Sequence, residues 1–189
     1  MNHRPFGSFL KPVVMAAVLA VSAIANAAQV IYVSPDGNDA NSGLSWATAK
    51  RTVGGALQAA TGPAQVWLRA GVYREMLTIV TPGVELYGGF AGDETQLDSR
   101  HGGATVLDAD RQGRVLKLDR AHDIVLDRLA LRNGNAVGFG GGLYSYHAQN
   151  VRLTDVVVED CTSYTGNHGG GIAVANGSIE LTRVVVQRC

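Results

Sequence analysis

Three segments of this 189-residue chain are copies of one another. Ile124-Val-Leu-Asp-Arg-Leu-Ala-Leu131 aligns with Val151-Arg-Leu-Thr-Asp-Val-Val-Val158, and both align with Ile179-Glu-Leu-Thr-Arg-Val-Val-Val186, at offsets of 27 and 28 residues. Each copy alternates apolar and polar residues on either side of a bend, the pattern of two short strands. A fixed period of this size is the mark of a solenoid, in which one repeat cannot bury its apolar side alone. The inward columns follow directly: Ile124/Val151/Ile179, Leu126/Leu153/Leu181, Leu129/Val156/Val184 and Leu131/Val158/Val186. Function in such a chain belongs on the outer wall and in the loops between rungs.

The segments before the repeat read the same way. Gln29–Val33, Val66–Leu68, Met76–Val80, Val84–Tyr87, Thr105–Leu107 and Val115–Leu118 are strand-like and are separated by Gly, Pro, Asp and Asn. One helical pattern occurs, over Ala47–Ala60, with Val53, Ala56, Leu57 and Ala60 on one face and Gly62-Pro63 as its stop. A solenoid exposes its core at its ends and needs caps, and this helix is placed to be the N-terminal one. Strands repeated without crossover helices argue for a β-solenoid and against a doubly wound sheet. The expected organisation is a strand, turn and capping helix over 28–65, followed by rungs over 66–189.

Residues 1–27 read as a secretory signal peptide. Arg4 and Lys11 precede an apolar run of 12 residues, Val13–Ile24, and Ala25-Asn26-Ala27 fits the small-x-small cleavage pattern. The expected location is therefore the periplasm, the outer-membrane surface or the extracellular space, with no transmembrane helix. Without Arg4 and Lys11, the 16 basic residues fall to 14 against 16 acidic ones, which leaves no footprint for nucleic acid. The two cysteines, Cys161 and Cys189, are 28 residues apart at equivalent places in successive repeats. Neighbouring rungs lie about 4.8 Å apart, inside the Cα separation of roughly 4.4–6.8 Å that a disulfide tolerates. Either a disulfide or a pair of stacked thiols satisfies that spacing.

The opening segment Tyr32-Val-Ser-Pro-Asp-Gly-Asn-Asp-Ala-Asn-Ser-Gly43, with Trp46 and Ala49-Lys-Arg-Thr52, resembles the start of secreted right-handed parallel β-helix proteins of the pectin-lyase-like superfamily. Gly71-Val-Tyr-Arg-Glu75 and Leu86-Tyr-Gly-Gly-Phe-Ala-Gly-Asp-Glu94 resemble its continuation. Gly140-Gly-Gly-Leu-Tyr144 and Gly169-Gly-Gly-Ile-Ala173 are similar to the glycine-rich turns of polymorphic outer-membrane and autotransporter passenger repeats. The resemblance implies an all-β fold, a right-handed parallel β-helix. It spans polysaccharide lyases, glycoside hydrolases, epimerases and adhesins, so it does not choose an activity.

Lyases of this superfamily neutralise the substrate carboxylate, usually with Ca²⁺ held by Asp or Glu, and use Lys or Arg as base. Asp108 and Asp110 are the candidate cation ligands, because side chains two apart on a strand share a face; the plain alternative is an Asp-rich turn. Asp36 and Asp39 are expected to shape the first turn through Asx bonds. The repeat columns Arg128/Asp155/Arg183, Arg132/Glu159/Gln187, Arg152/Glu180 and Asn133/Asp160/Arg188 place acids beside bases, which reads as charge pairing rather than a calcium cradle. Neither glycine triplet fits a phosphate-binding motif, and no serine stands in a nucleophile elbow. Tyr144, Tyr146, His147, Tyr164 and His168 gather beside the glycine corners and are the candidate substrate-binding residues; they either stack on sugar rings or pack the loops down. Ala130, Val157 and Val185 form an apolar stripe that should point outward, toward a loop, a further domain or a partner.

Two readings follow. In the first the chain is a secreted or cell-surface β-helix scaffold, carbohydrate-binding or adhesin-like, that requires no cofactor. In the second it is the N-terminal part of a polysaccharide lyase or hydrolase acting on an acidic glycan such as pectate, with Ca²⁺ needed if it is a lyase. The third repeat ends at Cys189 without a capping segment, so further rungs or a C-terminal domain are expected in a longer chain.

Overall fold

A computed structural model describes residues 28–164 and 169–189; the expected signal peptide and His168 lie outside the described residues. The chain winds as a parallel β-helix. It opens with strand β1 (Gln29–Val33) and helix α1 (Val53–Ala59). The first coil is β2 (Ala64–Arg69), β3 (Gly71–Arg74) and β4 (Leu77–Ile79); the second is β5 (Val84–Phe90), β6 (Thr105–Asp108) and β7 (Leu116–Asp119). The third is β8 (His122–Asp127), β9 (Ala130–Arg132), the short β10 (Asn135–Ala136) and β11 (Leu143–Tyr146). The fourth is β12 (Gln149–Thr154), β13 (Val157–Glu159), the short β14 (Thr162–Ser163) and β15 (Ile172–Ala175), and then β16 (Ile179–Thr182) and β17 (Val185–Gln187) begin a fifth.

Corresponding strands of successive coils pair in parallel and build three walls. Among the described residues the first wall runs β1-β2-β5-β8-β12-β16, the second β3-β6-β9-β13-β17 and the third β4-β7-β11-β15. The repeat register holds residue for residue: Ile124 pairs with Val151 and Val151 with Ile179, while Leu131 pairs with Val158 and Val158 with Val186. Leu126, Leu131, Leu153 and Val158 are completely buried, whereas Leu181 and Val186 on the last rung are half exposed. No helix among the described residues is long and apolar enough to cross a membrane.

The helix is shorter than its periodicity predicts. Ala49–Thr52 is extended because Lys50 bridges to Val33 of β1, with Lys50 N–H donating to Tyr32 O and Ser34 N–H donating to Lys50 O. Trp46–Thr48 forms a single 3₁₀ turn, and Thr52 then caps α1 by accepting from Gly55 N–H. Val53 and Ala56 are buried and Leu57 and Ala60 pack against the core, so the helix does close the N-terminal end.

Charged residues, rather than glycines, make most corners. Arg128, Asp155 and Arg183 turn the first wall into the second at φ of 53°, 54° and 51°. Arg120, His147 and Asn176 turn the third wall back into the first at 54°, 50° and 53°. A left-handed non-glycine residue costs roughly 1–2 kcal/mol, so each corner needs its neighbours above and below to hold it. Asp155 N–H accordingly donates to Thr182 O and Arg128 N–H to Thr154 O, stitching each corner to the next coil. The glycine triplets serve another purpose. Their backbones stack, with Gly140 N–H donating to Gly169 O and Gly142 N–H to Gly171 O. A Cβ at Gly142 would overlap Val158 Cγ1, and one at Gly171 would overlap Val186 Cγ1. Only glycine lets the chain pass this close to the second wall.

Candidate functional site

The conspicuous segments of the opening are occupied with holding the N-terminal end together. Glu75 Oε1 and Oε2 accept from Val53 N–H and Gly54 N–H, both at 2.8 Å, and so cap α1. Asp39 Oδ1 accepts from the N–H groups of Arg51 and Thr52, a tie across the sequence instead of the local Asx turn expected. Glu94 Oε1 accepts from Ala91 and His101 N–H, and its Oε2 from Gly92 and Asp93 N–H. Tyr32, Trp46, Trp67 and Phe90 pack ring against ring, and Trp46 Nε1 donates to Glu94 O. Asp93, Glu94 and His101 bring ligand-type atoms within 4.8 Å of one another, but the backbone donors already fill both Glu94 oxygens, so this group clamps a loop.

The structure does not set Asp108 and Asp110 side by side on a strand. Strand β6 ends at Asp108, and Asp110 lies beyond it at φ 49°, so the alternation that would put both carboxylates on one face does not apply. Asp108 is 5% exposed and fully engaged: its oxygens accept from Asp110 N–H, Asn133 Nδ2 and Arg132 Nη2, the last at 3.0 Å. Burial pushes its pKa up, but the Asp110 N–H, Asn133 and Arg132 more than offset this and hold it below the ordinary carboxylate range. Along the second wall the register places Arg74, Asp108, Arg132, Glu159 and Gln187 in one column, acids alternating with bases. Arg183 pairs with Asp155 at 2.6 Å, and Arg188 pairs with Glu159 and Asp160 at 2.7 Å. The expected charge pairing is thus present. The apolar stripe also extends further than the repeat suggests, from Val72 through Val106, Ala130 and Val157 to Val185, with the Gly102–Thr105 loop alongside.

The third wall differs. Strand alternation turns Leu143 and Ser145 inward, so Tyr144 and Tyr146 face out. Phe139 stacks on Tyr144 at 5.3 Å between ring centroids, Tyr144 lies 5.7 Å from Tyr146, and Tyr146 lies 4.3 Å from the His147 ring. Cations from the preceding coil rest on the same rings. The Arg114 guanidinium is 5.0 Å from the Tyr144 centroid, and Lys117 and Arg120 are 5.8 and 5.5 Å from that of Tyr146. Arg114 is fixed by donating to the carbonyls of Phe139 and Gly140. Lys117 Nζ donates to Asp119 Oδ2 at 2.7 Å, and the Lys117 bond is the main reason the Asp119 carboxyl lies below its usual range. On the other side Tyr144 and Tyr146 pair with Ala173 and Ala175, whose small side chains leave the rings uncovered.

Among the described residues, the hydroxyls of Tyr144 and Tyr146 make no hydrogen bond within the chain. Tyr73 and Tyr87, by contrast, donate to Val33 O and to Glu85 Oε2, and the Trp46 and Trp67 indoles are bonded too. Of the five residues expected to bind substrate, the structure therefore unites Tyr144, Tyr146 and His147. Tyr164, just beyond β14, is 64% exposed with its N–H donating to Ala136 O, and His168 is outside the described residues. Phe139, which flanks the same glycine corner, joins the run, and Arg114, Lys117 and Arg120 are the additions. The cations were visible only through the register of Leu116-Lys-Leu118 under Leu143-Tyr-Ser145, a repeat of one short strand. Cys161 and Cys189 are both thiols, the first buried and the second exposed.

No protein-family model matches the sequence, and no curated protein matches it. Two solved structures resemble the fold. Pectin methylesterase PemA from Erwinia chrysanthemi aligns with TM-score 0.57 and 17% identity over 82% of this chain and 48% of its own. A point-mutant pectin methylesterase in complex with a hexasaccharide aligns with TM-score 0.54, at the same 17% identity and the same coverage of both chains. At that identity the likeness establishes the parallel β-helix architecture. The chain spans about half the length of these structures.

Proposed function

We propose that this chain is a secreted polysaccharide-binding β-helix that holds an acidic glycan along its third wall. The observation that carries the reading is the outward run of Phe139, Tyr144, Tyr146 and His147 with Arg114, Lys117 and Arg120 packed on it. Aromatic faces offer apolar area to the C–H face of a pyranose ring at little entropy cost, and the free hydroxyls reach its rim. Arginine and lysine pair with uronate carboxylates, arginine through two parallel bonds. The paired acids of the second wall support binding over calcium-assisted elimination.

The test is electrophoresis of the native chain through gels containing polygalacturonate or a neutral β-glucan. Retardation should occur on polygalacturonate and be largely lost in Tyr144→Ala and Tyr146→Ala variants that remain folded. Equal mobility of the unaltered chain in both gels would overturn the reading. The pectin methylesterase neighbours support a second one, in which the chain is part of a pectin-acting enzyme. Methanol release from methyl-esterified pectin separates the two, because a binding wall alone releases none.

A further inference from the structure

We propose that Cys161 and Cys189 form a disulfide that staples the fifth coil to the fourth. The pairing of Glu159 with Gln187 puts the two cysteines one rung apart and in register. Their settings are copies. Cys161 Sγ lies 3.2 Å from Glu159 O and 3.8 Å from Leu131 O, and Cys189 Sγ lies 3.2 Å from Gln187 O and 3.7 Å from Val158 O. Each thiol sits under the last glycine of a triplet, 3.2 Å from where a Cβ would stand on Gly142 or Gly171. The rung spacing of about 4.8 Å falls within the Cα range of a disulfide, and the approach still required at Cβ is about 1 Å. Cys189 is exposed and is the partner able to yield.

The chemistry closes with a small-molecule disulfide as oxidant. The Cys189 thiolate attacks one sulfur of that disulfide, forming a mixed disulfide and expelling one thiolate. Cys161 then attacks Cys189 Sγ and expels the second. Two S–H bonds are lost and one S–S bond forms; the two electrons reduce the oxidant to two thiols, which take up the two protons. Burial, with the neighbouring Cys189 thiol adding to it, pushes the Cys161 thiol up to about 11, so the second step is the slow one and becomes faster as pH rises. The product would fix the glycine corner from which Ile172–Ala175 leaves, beside the aromatic wall. This inference stands independently of the glycan reading.

The experiment equilibrates the native chain with oxidised and reduced glutathione, blocks free thiols and measures intact mass. The expected result is a monomer that has lost two hydrogens and offers no thiol, with slower amide exchange in β15–β17 on oxidation. A Cys189→Ser variant should show neither change. Two alkylated thiols, a persistent glutathione adduct on Cys189, or a disulfide-linked dimer would each overturn the proposal. The folded Cys189→Ser variant separates failure of closure from failure of folding.

Discussion

Glu94 offers the sharpest test of how the opening segment works. Its side chain is 1% exposed, and its carboxylate collects the N–H groups of Ala91, Gly92, Asp93 and His101. Burial alone would raise its pKa, but the backbone bonds outweigh that cost and hold it at about 2, against 4.5 for a free glutamate. One unit corresponds to about 1.4 kcal/mol, so ionised Glu94 contributes about 3 kcal/mol to folding. The folded pKa is the lower one, so this stability is complete above pH 4.5 and is lost as pH falls toward 2. In Glu94→Gln the amide oxygen keeps two donors while its NH₂ faces the other two, and the cost at pH 7 should be about 2–4 kcal/mol. Urea unfolding of both proteins between pH 7 and 3 measures it. The gap should be largest at pH 7 and shrink with acid. A gap under about 0.5 kcal/mol at pH 7, or one that does not change with pH, would refute the charge-based account.

Leu126→Ala, in the middle of a buried column, should cost about 2–5 kcal/mol in the same assay; a loss under about 1 kcal/mol would mean the core is not continuous there. Asp108→Asn should lower stability at pH 7 by about 1–3 kcal/mol through the lost bond to Arg132. The unaltered chain should show no shift in Tm when Ca²⁺ is added, and a shift abolished by Asp108→Asn would restore the cation site. Asp119→Asn should strengthen binding to polygalacturonate several-fold by freeing Lys117 and Arg120; unchanged or weaker binding would show that those cations do not meet the ligand.

The coil, its register and its inward columns were legible because aliphatic side chains recur at a strict period, and no partner outside the repeat is needed to bury them. Three features were not. The helix pattern over Ala47–Thr52 is real, but Lys50 is claimed by β1, a pairing that local periodicity cannot reveal. The left-handed corners at Arg120, Arg128 and Arg183 carry a residue type that ordinarily avoids φ near 50°, so the sequence gives no turn signal where they stand. The cationic half of the site comes from Arg114, Lys117 and Arg120, one coil before the clear repeats begin, where the matching segment is too short to align. The shared strand face expected of Asp108 and Asp110 fails for a related reason: their spacing suits a strand, and the strand stops between them.

The three walls divide the work according to how each spends its polar groups. On the second wall acids and bases stack on one another, so a ligand there would have to break bonds the fold already uses. At the N-terminal end the carboxylates of Asp39, Glu75 and Glu94 are consumed by backbone N–H groups, which explains why a conspicuous motif can accompany the architecture without fixing an activity. The third wall keeps a reserve. Among the described residues the Tyr144 and Tyr146 hydroxyls are unspent, and Lys117 and Arg120 share the one carboxylate of Asp119 while Arg114 rests on Tyr144. The Lys117–Asp119 pair is partly exposed, and such pairs hold by about 0–1 kcal/mol. On the proposed reading a uronate carboxylate would displace Asp119 at small cost, while the rings beneath stay fixed by the strand. The third wall is where aromatic faces and cations meet, whereas the second wall stacks its acids on its bases.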